Sequence, residues 1–164
     1  MIKTLKKILS PEVCAECRLC CFFDGYSAWD TPTFTQEEAE LVIRLTPQAK
    51  PVNVGSCRRF RVDSTPPDIR GFYPCPALNP EEGCMLGNSK PFECTIWPYR
   101  IMDDNGAHVI GIARMCNAMS EKPLSELSAF LFEDGLADKI FEYAEKYPDI
   151  IKPITEDYTV LIRR

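Results

Sequence analysis

Apolar positions recur at helical spacing in two stretches of the chain, and the segment between them has little periodicity. In the first stretch, Thr35-x-x-Glu38 is a capping-box signature, and Ala39, Leu41, Val42 and Leu45 continue at helical spacing until Pro47. That pattern predicts a helix over 35–46. In the second, Leu124, Leu127, Phe130 and Leu131 repeat, Gly135 interrupts, and Leu136, Ile140, Phe141 and Ala144 resume the repeat. Helices are predicted across 122–146, with Pro148 and Pro153 ending them. Just before them, residues 99–102 and 108–113 flank Asp103-Asp-Asn-Gly106, which predicts a hairpin with Asn105-Gly106 at its tip. Residues 158–162 read as a final strand. Val52, Val54, Phe60 and Val62 suit extended structure over 52–62, and Ser64–Asp68 reads as a loop. Ile2, Leu5, Ile8 and Leu9 fit a short amphipathic helix over 2–9.

From 71 to 98 the chain is rich in Pro, Gly and Cys. Such a stretch cannot order itself through periodic apolar burial and needs an internal staple; a bound metal is one. The expected fold is α+β, a small single domain over 1–164. It comprises an irregular cysteine-rich region, 14–116, and a C-terminal helical extension, 122–164.

Composition narrows the function. Hydrophobic residues make up 45% of the chain, enough for a modest core. A net charge of −5 argues against general binding to nucleic acid or to anionic membranes, both of which need a basic surface. The N-terminal lysines are not followed by an apolar stretch of signal-peptide length, and no segment approaches the roughly 18 apolar residues of a membrane span. The chain reads as cytoplasmic, with a protein or small molecule as its partner or substrate.

The cysteines change the picture most. There are nine, and four of them fall within eight positions: Cys14-x-x-Cys17-x-x-Cys20-Cys21. A looser set follows, Cys75, Cys84, Cys94 and Cys116, with Cys57 between the two. In a reducing compartment such residues are ligands rather than disulfides, and the odd count also argues against a complete disulfide framework. Thiolates two residues apart suit a turn wrapping one metal or cluster. Adjacent side chains diverge, so Cys21 is expected to reach a different iron from Cys20, or a second metal. The two sets are expected to converge, with no disulfide among the first four.

Metal identity is an inference from spacing. The Cys-x-x-Cys-x-x-Cys run is what bacterial ferredoxins use for three corners of a 4Fe–4S cluster, and a remote Cys-Pro supplies the fourth; Cys75-Pro76 matches. Zinc commonly takes two Cys-x-x-Cys knuckles, and the second set has none. An iron–sulfur cluster is therefore expected, with zinc as the alternative or as a second metal. A fully ligated cysteine site often does no chemistry and serves the fold alone.

Other residues carry weaker signals. Cys57 precedes Arg58-Arg59, which favours a thiolate, yet a lone cysteine among apolar neighbours is more often simply buried. His108 lies within a predicted strand and reads as a strand residue. Phe72, Tyr73, Phe92, Trp97 and Tyr99 read as a shell keeping solvent from the second cysteine set. Asp24, Trp29 and Asp30 follow the first set closely. Arg58, Arg59 and Arg61 read as a solvated strand face. There is no Gly-x-Gly-x-x-Gly and no phosphate loop, so a Rossmann-type methyltransferase domain is not expected.

The cysteine quartet, Cys75-Pro76-Ala77-Leu78, Gly83-Cys84-Met85-Leu86 and Lys90-Pro91-Phe92-Glu93-Cys94-Thr95-Ile96-Trp97-Pro98, in that order, resemble the YkgJ-type cysteine-cluster family, described as a zinc- or iron-chelating domain. Flagellin lysine N-methylase contains a similar domain. The resemblance covers residues 14–116. It implies metal binding by Cys14, Cys17, Cys20, Cys21, Cys75, Cys84, Cys94 and Cys116, and a redox or group-transfer role. S-adenosylmethionine, were it a cofactor, would need a route other than a nucleotide-binding loop. Two positions depart from the family pattern: Lys90 and Thr95 stand where arginines are usual. Lysine keeps the charge but not the bidentate fork, and Thr95 loses the charge. The methylase is much longer, so methyl transfer does not carry across by default.

Overall fold

Ser10 supplies a start signal that the structure uses early. Its hydroxyl accepts the Val13 N–H at 3.3 Å, with Pro11 in the first turn, and a helix runs from Pro11 to Cys17. The computed structural model describes residues 5, 7–113 and 115–164. The fold is α+β. The chain forms two units, Ser10–Phe92, and Glu93–Arg164 together with the residues up to Leu9.

In order, the first unit contains α1 (Pro11–Cys17), β1 (Phe22–Phe23), α2 (Gln36–Leu45), β2 (Pro51–Val54), β3 (Cys57–Phe60), β4 (Tyr73–Pro74), β5 (Leu78–Asn79) and β6 (Gly83–Cys84). The pairs β1–β4, β2–β3 and β5–β6 are each antiparallel and two-stranded. The predicted capping box at α2 is present: Thr35 Oγ1 accepts from Glu38 N–H at 3.3 Å, and Glu38 Oε2 accepts from Thr35 N–H at 2.8 Å. Ala39 and Val42 of α2 are buried with Phe34, Ala49, Phe60, Ala77 and Leu86. The Phe34 and Phe60 rings meet edge to face at 5.2 Å. Thr46 ties the end of α2 to the cysteine-rich stretch by donating its hydroxyl to the Pro76 carbonyl at 2.7 Å.

After α3 (Phe92–Ile96), the second unit holds β7 (Tyr99–Asp104), β8 (Ala107–Ala113), α4 (Asn117–Ser120), α5 (Leu124–Phe132), α6 (Leu136–Lys146), β9 (Lys152–Pro153) and β10 (Tyr158–Arg163). Strand order is β10-β8-β7-β9, with only β7–β9 parallel. The hairpin tip lies at Asn105-Gly106 as predicted. Both have positive φ, 52° and 90°, the twist a two-residue turn requires. Leu127, Leu131, Leu136, Ile140, Phe141 and Ala144 of the two long helices are buried, as are Ile101, Met102, Val109 and Ile110 of the hairpin. Gly111 sits where a Cβ would lie 2.7 Å from the Met102 methyl and 3.2 Å from the Thr159 carbonyl oxygen, so β10 and β8 meet closely there.

Several expectations need correction. Residues 52–62 form a hairpin turning at Gly55-Ser56, and Val62 belongs to a 3-10 turn, rather than one extended run. Of the predicted helix over 2–9, residues 2–4 and 6 lie outside the described residues; Leu5 and Lys7 are irregular and Ile8–Leu9 form a bend. The arginine run is not a solvated face throughout: Arg59 is buried, donating its Nε–H to Thr33 Oγ1 at 3.1 Å, while Arg61 is exposed and paired with Asp63 at 2.7 Å. No helix among the described residues is long and apolar enough to cross a membrane.

Candidate metal centre

The first cysteine set is not the loop that its spacing suggests. Cys14 and Cys17 lie on α1, three residues apart and hence on one helical face. Ser10 and Pro11 start that helix, and Arg18 ends it. Arg18 has φ 51°, and its N–H closes onto the Cys14 carbonyl at 2.9 Å. A left-handed conformation costs an L-residue about 1–2 kcal/mol. Its reward is direction: the chain turns at once into the 3-10 segment Leu19–Cys21.

Cys21 then meets Cys75. The β1–β4 ladder pairs Phe22 with Pro74 and Phe23 with Tyr73, and one step further the Cys75 N–H donates to the Cys21 carbonyl at 2.8 Å. The two cysteines are therefore opposite each other across an antiparallel pair, the position in which side chains share a face. Cys84 arrives by a second ladder, opposite Leu78 in the β5–β6 hairpin, and Met85 N–H extends it to the Ala77 carbonyl at 2.8 Å. Cys75 and Cys84 both pack on the buried core of this unit.

The thiols sense one another. Burial pushes the Cys75 thiol up to about 12, the Ala77 N–H donated to its sulfur pulls it partway back, and the charges of Cys84 and Cys20 add to the rise. The Cys20 thiol is also raised, first by the hydrogen bond it shares with Cys21, then by burial; Lys90 opposes the rise. Cys20 is exposed by area, so the thiol–thiol bond rather than burial leads. Cys20 and Cys21 lie side by side in the 3-10 turn that follows Arg18.

Two ladders thus set Cys21 opposite Cys75 and Cys84 opposite Leu78 in one unit, with Cys20 next to Cys21 in the chain. Among the described residues no three Cys, His, Asp or Glu side chains are grouped so that they could hold a metal ion. The donor set suits a soft metal in kind. The Ala77 N–H aimed at the Cys75 sulfur favours the thiolate that a metal needs. No disulfide joins any of the nine cysteines, as expected for the first four. Cys17 is exposed beside a shallow hollow formed with Leu19, Phe22, Arg70 and Phe72. Asp68 holds Arg70 there at 2.7 Å, with the guanidinium 4.7 Å from the Phe22 ring centre.

Cys94 is exposed on α3 and Cys116 is half-buried just before α4, both in the second unit. Cys57 is 1% exposed on β3, the buried reading. His108 is in β8, exchanging backbone hydrogen bonds with Arg164 at 2.8 Å. Tyr99 is a core residue of the second unit, donating its hydroxyl to the Leu127 carbonyl at 2.8 Å, rather than part of a shell.

Sequence reasoning missed Arg18. Its side chain donates to the carbonyls of Ala15 at 2.6 Å and Glu81 at 3.3 Å, and also to that of Pro80. Arginine is not a residue that marks a left-handed position, so nothing in the sequence flagged it. The effect of Lys90 on Cys20 was missed as well, since the two are 70 positions apart in the chain. No protein-family model matches the chain, no curated protein matches it, and no solved structure matches it.

Proposed function

We propose that this protein binds a metal centre through its clustered cysteines, with a 4Fe–4S cluster as the resident group and a redox or group-transfer role in the cytoplasm. The observation that supports the reading is that two ladders set Cys21 opposite Cys75 and Cys84 opposite Leu78 in one unit, with Cys20 beside Cys21. The resemblance to the YkgJ-type cysteine-cluster family points the same way. An iron–sulfur cluster would supply one-electron chemistry or an iron to which a substrate binds. The residues assigned to it are these four, with Cys14 and Cys17 on the adjoining helix. Cys94 and Cys116 complete the eight cysteines of the motif.

Two groups of the chain oppose the rise that keeps these thiols protonated and so favour the thiolates a metal would bind. The Ala77 N–H stabilises negative charge on Cys75, and the Lys90 charge does so for Cys20. The apolar contacts of Cys75 and Cys84 limit water at their sulfurs.

A second reading rests on the same four residues. Four thiolates saturate a tetrahedral zinc, leaving no open position, and the protein would then be a non-enzymatic structural or interaction module. Purification without oxygen after growth with ample iron separates the two. The iron–sulfur reading expects a brown protein whose broad visible absorption bleaches on reduction. Colourless protein with stoichiometric zinc would favour the module. Protein holding neither metal would refute both.

A further inference from the structure

Arg18 joins two cysteine-bearing segments through its side chain. It stands between Cys17 and Cys20, and its backbone makes the left-handed turn that sends Cys20 and Cys21 away from α1. Its guanidinium reaches across 62 residues of chain to the tip of the hairpin that carries Cys84, donating to the carbonyls of Pro80 and Glu81, while Nε–H binds Ala15 on its own helix. That tip is itself fixed: Asn79 Oδ1 accepts the Glu81 and Glu82 N–H groups at 2.8 and 3.0 Å. One planar, five-donor group thus clasps two otherwise separate short elements, a task a single-point ammonium cannot reproduce.

We propose that Arg18 is the positioning residue of the metal centre: its clasp holds the Cys20–Cys21 turn and the Cys84 hairpin at the separation from which their thiolates close on a metal. This rests on the metal-binding reading above. It assigns Arg18 no contact with the metal. The geometry also separates two roles that a simple truncation would merge. Glycine accepts the left-handed backbone without strain, so Arg18→Gly removes the clasp and spares the turn. Arg18→Lys keeps the charge and loses the fork.

The test is anaerobic titration of the full chain with Co(II) alone, following the thiolate-to-cobalt absorption, for wild type, Arg18→Gly and Arg18→Lys. Thermal unfolding is recorded for each with and without metal. The wild type should develop the band. Arg18→Gly should bind about 10- to 100-fold more weakly, the usual effect of losing a residue that orients ligands, with Arg18→Lys between them. Metal should raise the melting temperature of both variants less than that of wild type. A purely structural staple would instead lower metal-free and metal-bound stability equally and leave the metal-induced rise unchanged; that result overturns the proposal. So does wild-type affinity in Arg18→Gly. If Arg18→Gly does not fold, Arg18→Lys decides by the same criteria. A wild type with no thiolate–cobalt band overturns the metal-binding reading itself, and the role of Arg18 with it.

Discussion

The two units solve the problem of staying folded in different ways. Glu93–Arg164 has a four-stranded sheet, two helices of nine and eleven residues and a continuous set of large buried aliphatics. Ser10–Phe92 has one ten-residue helix, strands of two to four residues, and a buried cluster in which three of seven members are alanine. Glu93–Arg164 can be held by apolar burial. In Ser10–Phe92, side-chain-to-backbone bonds from Thr46 and Arg18 and the packing of Cys75 and Cys84 take on much of that work. Thiols gather where regular structure is scarce, which is the arrangement expected when metal binding and folding are one process.

That contrast can be broken most severely by taking the metal away. Chelation should abolish amide exchange protection across 73–85, where ladders are two residues long, while β7 and β8 keep theirs. Equal loss in both units would show that regularity does not separate them.

The second unit has a different weak point. Glu93 is buried with Lys152 at 2.8 Å and Arg100 at 4.0 Å. Glu93→Ala removes the buried carboxylate that Lys152 and Arg100 share, so it should cost about 3–5 kcal/mol in urea unfolding. A loss under about 1 kcal/mol would mean the cluster relaxes to water.

Smaller effects sharpen the comparison. Gly111→Ala places a methyl against Met102 and the Thr159 carbonyl and should cost about 1–3 kcal/mol. An unchanged midpoint would mean that the Met102 methyl, the end of a flexible side chain, simply moves aside. Thr35→Ala removes the cap of α2 and should cost about 1 kcal/mol, as should Tyr99→Phe, which leaves the Leu127 carbonyl without its side-chain donor. Both are read from the denaturation midpoint at constant slope.

The same contrast decides what could be read from the sequence. The hairpin at Asn105-Gly106, the capped helix after Thr35, the helices broken at Gly135 and the last strand were legible, because each rests on local turn chemistry or on a repeat of apolar residues. In the cysteine-rich unit, the pairing of Cys21 with Cys75 was not, since two-residue strands leave no periodic trace. That Cys14 and Cys17 sit on a helix depended on Ser10 and Pro11, signals overshadowed by the cysteine spacing. Arg18 was invisible because its role arises from a left-handed backbone and from carbonyls more than 60 positions away.

The central claim is that Cys20, Cys21, Cys75 and Cys84 hold a metal together. Alkylation of the native, anaerobically prepared full chain, read residue by residue by mass spectrometry before and after chelation, tests it most directly. The account predicts that these four are protected together in the metal-bound protein and become alkylated together once the metal is removed, while buried Cys57 is unaffected by the removal. If the four react to the same extent with and without metal, the claim is contradicted.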